Sequence, residues 1–314
     1  MLKNYIKPVI VAILSFIILL EFGYIVKINI IDKSETANTG TVQQPELPVV
    51  GQKQDHGQDK PYTGKVIVID PGHGKSSSQM TAEEKSASGW VQNSSGVWGE
   101  WRHYKTGSST VNCEGSGCNG RVTPNGACWY PISNSDRNTE PDINLKNALA
   151  AKEHLEKLGY TVRLTRSTND ENPSITKRLS YCHPDNDTTK PPDAIAFICL
   201  HSNASGGSGT GSAYISAEGP YDQAWINADY TEKSNTLGKL CNDNIVEITS
   251  LSRHGNGIIA WEPELIALCK SPVPCAYLEI GFFDNDSDLS ILNSEYNNIG
   301  LAISKGVDEF CKLQ

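Results

Sequence analysis

The segment KVIVIDPGHGK, Lys65 to Lys75, sets the reading of the chain. The β-branched residues Val66–Ile69 favour a strand, and the Pro71-Gly72 pair that follows Asp70 ends it in a tight turn. His73 therefore stands on a loop just past the carboxyl end of a strand. The glycines on either side of it allow backbone to approach a neighbour closely.

Working outward, strand-like and helix-like patterns alternate from Lys65 to the end of the chain, the signature of an α/β domain. AIAFICL, Ala194–Leu200, is a continuous apolar run, as expected of a strand buried on both faces, and it ends at His201. CAYLEIGFF, Cys275–Phe283, reads as another strand with Glu279 near its carboxyl end. PDINLKNALAAKEHLEKLGY, Pro141–Tyr160, predicts an amphipathic helix with Leu145, Ala148, Leu149, Leu155 and Leu158 on one broad face. Pro141 suits its first turn and Gly159 its left-handed cap. TVRLT, Thr161–Thr165, follows as a strand, and SITKRLSYC, Ser174–Cys182, as a short helix capped by Ser174. SAYIS, Ser212–Ser216, and GIIAW, Gly257–Trp261, read as strands with a polar amphipathic helix between them around Asp229–Ile248. A closing helix, Tyr296–Cys311, gathers Ile299, Ile303, Val307 and Phe310 on one face.

The 314 residues suffice for one large domain or two small ones, and 38% hydrophobic content supports a packed core. A formal charge of −9 with no basic block excludes a nucleic-acid footprint. At the amino end, Lys3 and Lys7 precede an apolar run from Pro8 to Val26 in which Glu21 is the single charge. As a helix it would reach about 28 Å, the hydrocarbon thickness of a bilayer. The positive-inside rule then leaves the amino terminus cytoplasmic and the remainder outside. A cleaved signal peptide is the competing reading, but no small-x-small site directly follows the run. Residues 1–31 are thus expected to be a cytoplasmic stub with a membrane anchor or signal segment. Polar, aperiodic residues 32–64 read as a flexible linker.

Nine cysteines in a chain placed outside the membrane suggest some disulfides with at least one thiol left over. Cys113, Cys118 and Cys128 crowd a Gly-rich stretch, as a bridge or as a small metal knuckle, though their spacing fits no zinc signature well. They belong to a long span, Ser76–Thr139, rich in Ser, Gly, Asn and Trp and without clear helical period. Connections of this length are uncommon and usually functional.

His73, His201 and Glu279 each lie at or just beyond the carboxyl end of an apolar strand, the edge where open α/β sheets bind ligands. Two histidines with carboxylates suit a zinc site that keeps a position open for water. The second ring nitrogen of such a histidine needs a partner, which Asp70 or a backbone carbonyl would supply.

The stretches VIVIDPGHG, TEPDINLKNALAAKEHLEKLGYTVRLTR, RLSYCHPDN with DAIAFICLHSNA, and AYLEIGFFDN occur in the order seen in zinc-dependent N-acetylmuramoyl-L-alanine amidases. The chain resembles the catalytic domain of this family, amidase 3, from Lys65 to Cys311 apart from the long span. The resemblance implies one α/β domain, residues 65–314, with a mixed sheet of about six strands flanked by helices on both faces. Residues 76–139 would be an insert after its first strand. It implies zinc held by His73, Glu140 and His201, with Glu279 as catalytic acid/base. Glu140 is picked out because the family's second ligand opens a helix in an E-x-D-x-N-L segment, here in TEPDINL. The implied substrate is peptidoglycan, cut between the lactyl group of N-acetylmuramic acid and L-alanine. Zinc lowers the pKa of water to about 7 and polarises a carbonyl, and a carboxylate beside it shuttles the proton.

The family usually links its first histidine and its glutamate directly, so the insert offers rival ligands in Glu100, His103 and Glu114. Glu140 is expected to prevail because it sits at the start of a rigid helix. Trp90, Trp98, Trp101 and Trp129 read either as a small subdomain core or as platforms for sugar rings. Two other functions stand beside the amidase: another zinc peptidase of wall peptides, and a non-catalytic wall-binding module, which Glu279 argues against.

Overall fold

The computed structural model describes residues 64–103, 127–132, 139–214, 228–259 and 270–314. In chain order the elements run β1 (Val66–Pro71), α1 (Ala82–Ala87), β2 (Val91–Gln92), β3 (Trp98–His103), β4 (Ala127–Pro131), α2 (Thr139–Leu158) and β5 (Thr161–Leu164). They continue with α3 (Ile175–Ser180), β6 (Ala194–Asn203), β7 (Thr210–Ala213), α4 (Ala228–Ile248), β8 (Arg253–Ile259), β9 (Cys275–Phe282), α5 (Asp286–Ser294) and α6 (Tyr296–Lys312).

A six-stranded sheet has the order β5-β1-β6-β9-β7-β8. Strand β1 is parallel to both β5 and β6, and β6 is parallel to β9. Strand β7 runs antiparallel to β9, which makes the sheet mixed as expected. From β1 the chain first steps outward to β5, then returns to place β6 on the other side of β1. The connections through α2 and α3 pack on opposite faces, so β1 and β6 flank a topological switch point. That is where the carboxyl edge of such a sheet opens a crevice.

The two faces are unequal. Ile67, Ile69, Ile198, Leu200, Leu278 and Ile280 pack on α2, α4 and α6, while Val68, Phe197, Cys199 and Tyr277 meet α3. Helix α6 contributes Ile299, Ile303, Val307 and Phe310, all essentially inaccessible, each worth about 1.5–3 kcal/mol on burial. Gly159 adopts φ +100° as the expected cap of α2. Ser174 caps α3, its side chain accepting from Lys177 N.

The expected face of α2 needs one correction. Leu149 is 44% exposed, whereas Glu140, Ile143, Asn144, Asn147, Ala148, Ala151 and Leu155 turn inward. Leu149 lies nearly opposite that stripe at 100° per residue, and the buried face is partly polar. Strands β7 and β8 begin earlier than SAYIS and GIIAW, whose last residues lie outside the described ones. Helix α5 was not anticipated, although Asn285 accepts from Ser287 N and Asp288 N as a cap.

The described part of the insert is ordered structure. Strands β2, β3 and β4 form an antiparallel sheet. Helix α1 is short but carries a reciprocal capping box between Thr81 and Glu84, a signal legible in TAEE. Trp90 is buried with Met80 and Ile132 and packs against Trp98, so the core reading holds for these two tryptophans. The side chains of Trp101 and Trp129 lie outside the described residues.

Five cysteines, Cys182, Cys199, Cys241, Cys275 and Cys311, are buried thiols, which narrows the disulfide expectation. Such cysteines pack as small hydrophobes. Cys113, Cys118 and the side chain of Cys128 lie outside the described residues, as do Pro8–Val26 and the linker. Among the described residues no helix is long and apolar enough to cross a membrane.

Candidate active site

Three side chains converge at the switch point. His73 arrives on the loop after β1, His201 near the end of β6, and Glu140 in the first turn of α2. Glu140 is 1% exposed, and its Oε1 stands 3.2 Å from His73 Nε2 and 3.2 Å from His201 Nδ1. One ligand atom from each of the three lies within 4.8 Å of the others, a grouping able to hold a metal ion. The imidazole rings meet edge to face, 4.7 Å between centroids. Burial alone would raise the Glu140 pKa, but hydrogen bonds from His201 and His73 hold it far below the ordinary carboxylate range. Burial would lower that of His201, and the Glu140 carboxylate reverses the shift.

The turn residues explain themselves here. A β-carbon on Gly72 would lie 2.4 Å from the His201 ring, so only glycine lets β1's loop pass beside that imidazole. The other side of the slot is Tyr277, stacked on His201 at 4.7 Å and 13°. His73 itself has φ +58°, a left-handed conformation that a β-carbon disfavours.

Two buried arginines hold that loop. Arg166 donates to the carbonyls of Pro71 (2.8 Å), Gly72 (3.0 Å) and Pro141 (2.8 Å), tying the His73 loop to the start of the helix that carries Glu140. Arg178 donates to the His73 carbonyl at 2.7 Å and to Asp70 at 2.6 Å. Asp70 is therefore not the partner of the His73 ring; it is paired with Arg178, and Thr165 Oγ1 and Cys199 Sγ also donate to it. Asn144 donates to the Gly72 carbonyl at 3.3 Å and accepts from Ser202 Oγ at 3.0 Å. Ser202 N donates to Glu140 at 3.3 Å.

Glu279 pairs directly with His201 across β6 and β9, so the two side chains leave the same face of the sheet. Seven of the eight β9 residues are buried; Glu279 alone is half-buried, where the strand meets the crevice. Thr210 Oγ1 donates to its carbonyl oxygen at 3.2 Å, fixing the backbone there. Glu100 is not in the cluster. Its carboxylate accepts from Ile175 N and Thr176 N at the start of α3. Glu114 and the side chain of His103 lie outside the described residues.

The family model for N-acetylmuramoyl-L-alanine amidase, amidase 3, matches residues 67–309. The chain belongs to that family. It is accordingly an enzyme of the amidase class, hydrolysing the amide between N-acetylmuramic acid and L-alanine in peptidoglycan. Among solved structures, the N-acetylmuramyl-L-alanine amidase Ami1 from Mycobacterium smegmatis is 19% identical, with 80% of this chain and 99% of that chain covered at a TM-score of 0.53. That likeness supports the fold. The catalytic domain of CwlV, an N-acetylmuramoyl-L-alanine amidase from Bacillus (Paenibacillus) polymyxa, is 19% identical over 80% of this chain and 99% of its own, at a TM-score of 0.46. No curated protein sequence matches the chain.

The candidate site has members that sequence reasoning passed over. Asn144 was visible as a polar residue one turn after Glu140 on the inward stripe of α2. Tyr277 was visible as the residue two before Glu279 on the same strand face. Arg166 and Arg178 carried no such local signal, because the carbonyls through which they hold the His73 loop, those of Pro71, Gly72 and His73, are about a hundred residues away.

Proposed function

We propose that this amidase is zinc-dependent, with His73, Glu140 and His201 holding the metal and Glu279 acting as general base and acid. The observation that carries the reading is the 3.2 Å spacing of Glu140 Oε1 from a nitrogen of each histidine. Donors about 2.0–2.1 Å from a tetrahedral zinc lie roughly 3.3–3.4 Å apart, so the spacing matches two edges of such a site. The electrostatics also fit: a buried carboxylate held anionic between two imidazoles is a place that a dication neutralises. Two nitrogens and an oxygen are the donor set of hydrolytic zinc sites with an open position.

Zinc in this position would acidify water and polarise the lactyl carbonyl. The remaining work falls to the chain. The Glu279 carboxylate takes a proton from the attacking water as the new carbon–oxygen bond forms. It returns that proton to the L-alanine nitrogen as the carbon–nitrogen bond breaks, leaving a lactyl carboxylic acid and a free amine. Tyr277 and Gly72 keep the His201 ring from rotating, and Asn144 and Ser202 orient Glu140, the kind of support that metal ligands require.

The apolar run Pro8–Val26 supports attachment to the cell membrane, with the catalytic domain on the outer side where peptidoglycan lies. Residues 32–64 would then serve as the tether. Mass spectrometry of digested peptidoglycan tests the reaction. The proposed one releases stem peptides with a free L-alanine amino terminus. Release of single amino acids would instead identify a wall carboxypeptidase.

A further inference from the structure

The described part of the insert is built against the segment that holds the His73 loop. Glu100, 5% exposed on β3, accepts from Ile175 N (3.2 Å), Thr176 N (3.3 Å) and Thr176 Oγ1 (3.4 Å). Ser174 already caps α3 locally, so this buried carboxylate is a second, long-range tie. Trp90 Nε1 donates to the Asn172 carbonyl at 2.7 Å, and Ser174 N donates to the Ser88 carbonyl at 2.9 Å.

The same segment faces the metal site on its other side. Asn172 Nδ2 donates to the Lys75 carbonyl at 2.9 Å, and Lys75 N donates to the Glu171 carbonyl at 3.2 Å. Arg178 carries the remaining link, to the carbonyls of Pro71 (3.0 Å) and His73 (2.7 Å). His73 therefore sits in its left-handed conformation at the end of an unbroken chain of contacts that begins in the insert. A residue in that conformation persists only where its surroundings hold it.

We infer that the described part of the insert between β1 and α2 is a strut for the active site, and that Glu100 is a positioning residue that fixes His73 through residues 171–178. A buried carboxylate is retained only where donors meet it, and the donors Ile175 N, Thr176 N and Thr176 Oγ1 belong to the element that grips the His73 loop. The inference builds on His73 as a metal ligand, but its mechanical part does not depend on the metal.

The test uses the full chain, metal-free and zinc-loaded, with Glu100→Ala, Glu100→Gln and Trp90→Phe. Amide hydrogen exchange is followed at Lys75 and, as an internal reference, at residues 196–200 in the core of β6. In metal-free Glu100→Ala, exchange at Lys75 rises about tenfold while residues 196–200 are unchanged, the mark of local rather than global opening. Zinc affinity, read by chelator competition, falls about threefold, less than for loss of a group bonded directly to a ligand. Glu100→Gln, which keeps an acceptor oxygen, restores most of the protection. Trp90→Phe removes a single donor and gives a smaller rise at Lys75, which carries the test if Glu100→Ala does not fold. Unchanged exchange at Lys75, or an equal rise at residues 196–200, overturns the strut. Normal coupling at Lys75 with no zinc bound at His73 would refute the metal assignment and leave the strut standing.

Discussion

Replacing Arg166 with methionine separates the bracing of the site from the bracing of the fold. Arg166 is 1% exposed, and besides Pro71, Gly72 and Pro141 it donates to the Thr168 carbonyl (3.1 Å) and Asn169 Oδ1 (2.7 Å). Burial, with Arg178 adding to it, pulls its pKa down to about 9, so it is still a cation at neutral pH. Hydrogen bonds from a charged donor are worth about 1.5–3 kcal/mol each, and five of them outweigh the several kcal/mol that desolvating the cation costs. The loss is softened because Arg178 still reaches the Pro71 carbonyl and Asn144 the Gly72 carbonyl. We expect Arg166→Met to destabilise the domain by about 2–4 kcal/mol, lowering Tm by roughly 5–15 °C. Because the lost bonds join the His73 loop to the start of α2, zinc affinity should fall about tenfold as well. Arg166→Lys, which keeps charge but not the fork, should fall between. Thermal melting and chelator competition on the same samples provide the assay. A lowered Tm with zinc affinity within twofold of the parent would refute the link between Arg166 and the metal site.

Further expectations follow from the same geometry. Glu140→Ala should lose zinc affinity by more than about tenfold in direct titration, because it removes the proposed third ligand and the carboxylate that bridges the two histidines; normal binding would mean that the insert supplies the ligand. Glu279→Gln should retain metal yet lose about 10² to 10⁴ in kcat, and an unaffected rate would place the base elsewhere. For Asp70, burial favours the neutral form, but the Arg178 guanidinium and hydrogen bonds from Thr165, Arg178 and Cys199 outweigh it and lower the pKa. Folded protein then binds fewer protons at this carboxyl than unfolded protein does, so its contribution is complete above about pH 4 and declines as pH falls further. Urea titrations from pH 6 to pH 3 should show a steeper decline in the parent than in Asp70→Asn, where other carboxylates with lowered pKa values such as Glu140 still contribute; Asp70→Asn should already be weaker by about 3 kcal/mol because Arg178 is left buried without its counter-charge.

The strands that build the site were legible because each is an apolar run ending at a polar residue. Val66–Ile69, Ala194–Leu200 and Cys275–Leu278 mark β1, β6 and β9, and His73, His201 and Glu279 follow at their carboxyl ends. Glu140 was legible only through the family's helix-opening pattern, since nothing in local periodicity separates it from Glu100. The inward stripe of α2 was misread at Leu149 because its buried positions include Glu140, Asn144 and Asn147, and hydrophobicity does not register a polar face turned toward a site. The insert showed no clear period because its strands β2, β3 and β4 are short, and its core rests on scattered residues such as Met80, Trp90 and Ile132. Arg166 and Arg178 hold the His73 loop through carbonyls about a hundred residues away in sequence, beyond the reach of any local pattern.

X-ray absorption at the zinc edge of the metal-loaded full chain tests the metal assignment most directly. Two imidazole nitrogens and carboxylate or water oxygens at about 2.0–2.1 Å, with one zinc per chain, are predicted for His73, His201 and Glu140. Sulfur scatterers at about 2.3 Å would place the metal on cysteines instead, and a chain that binds no zinc would contradict the account outright.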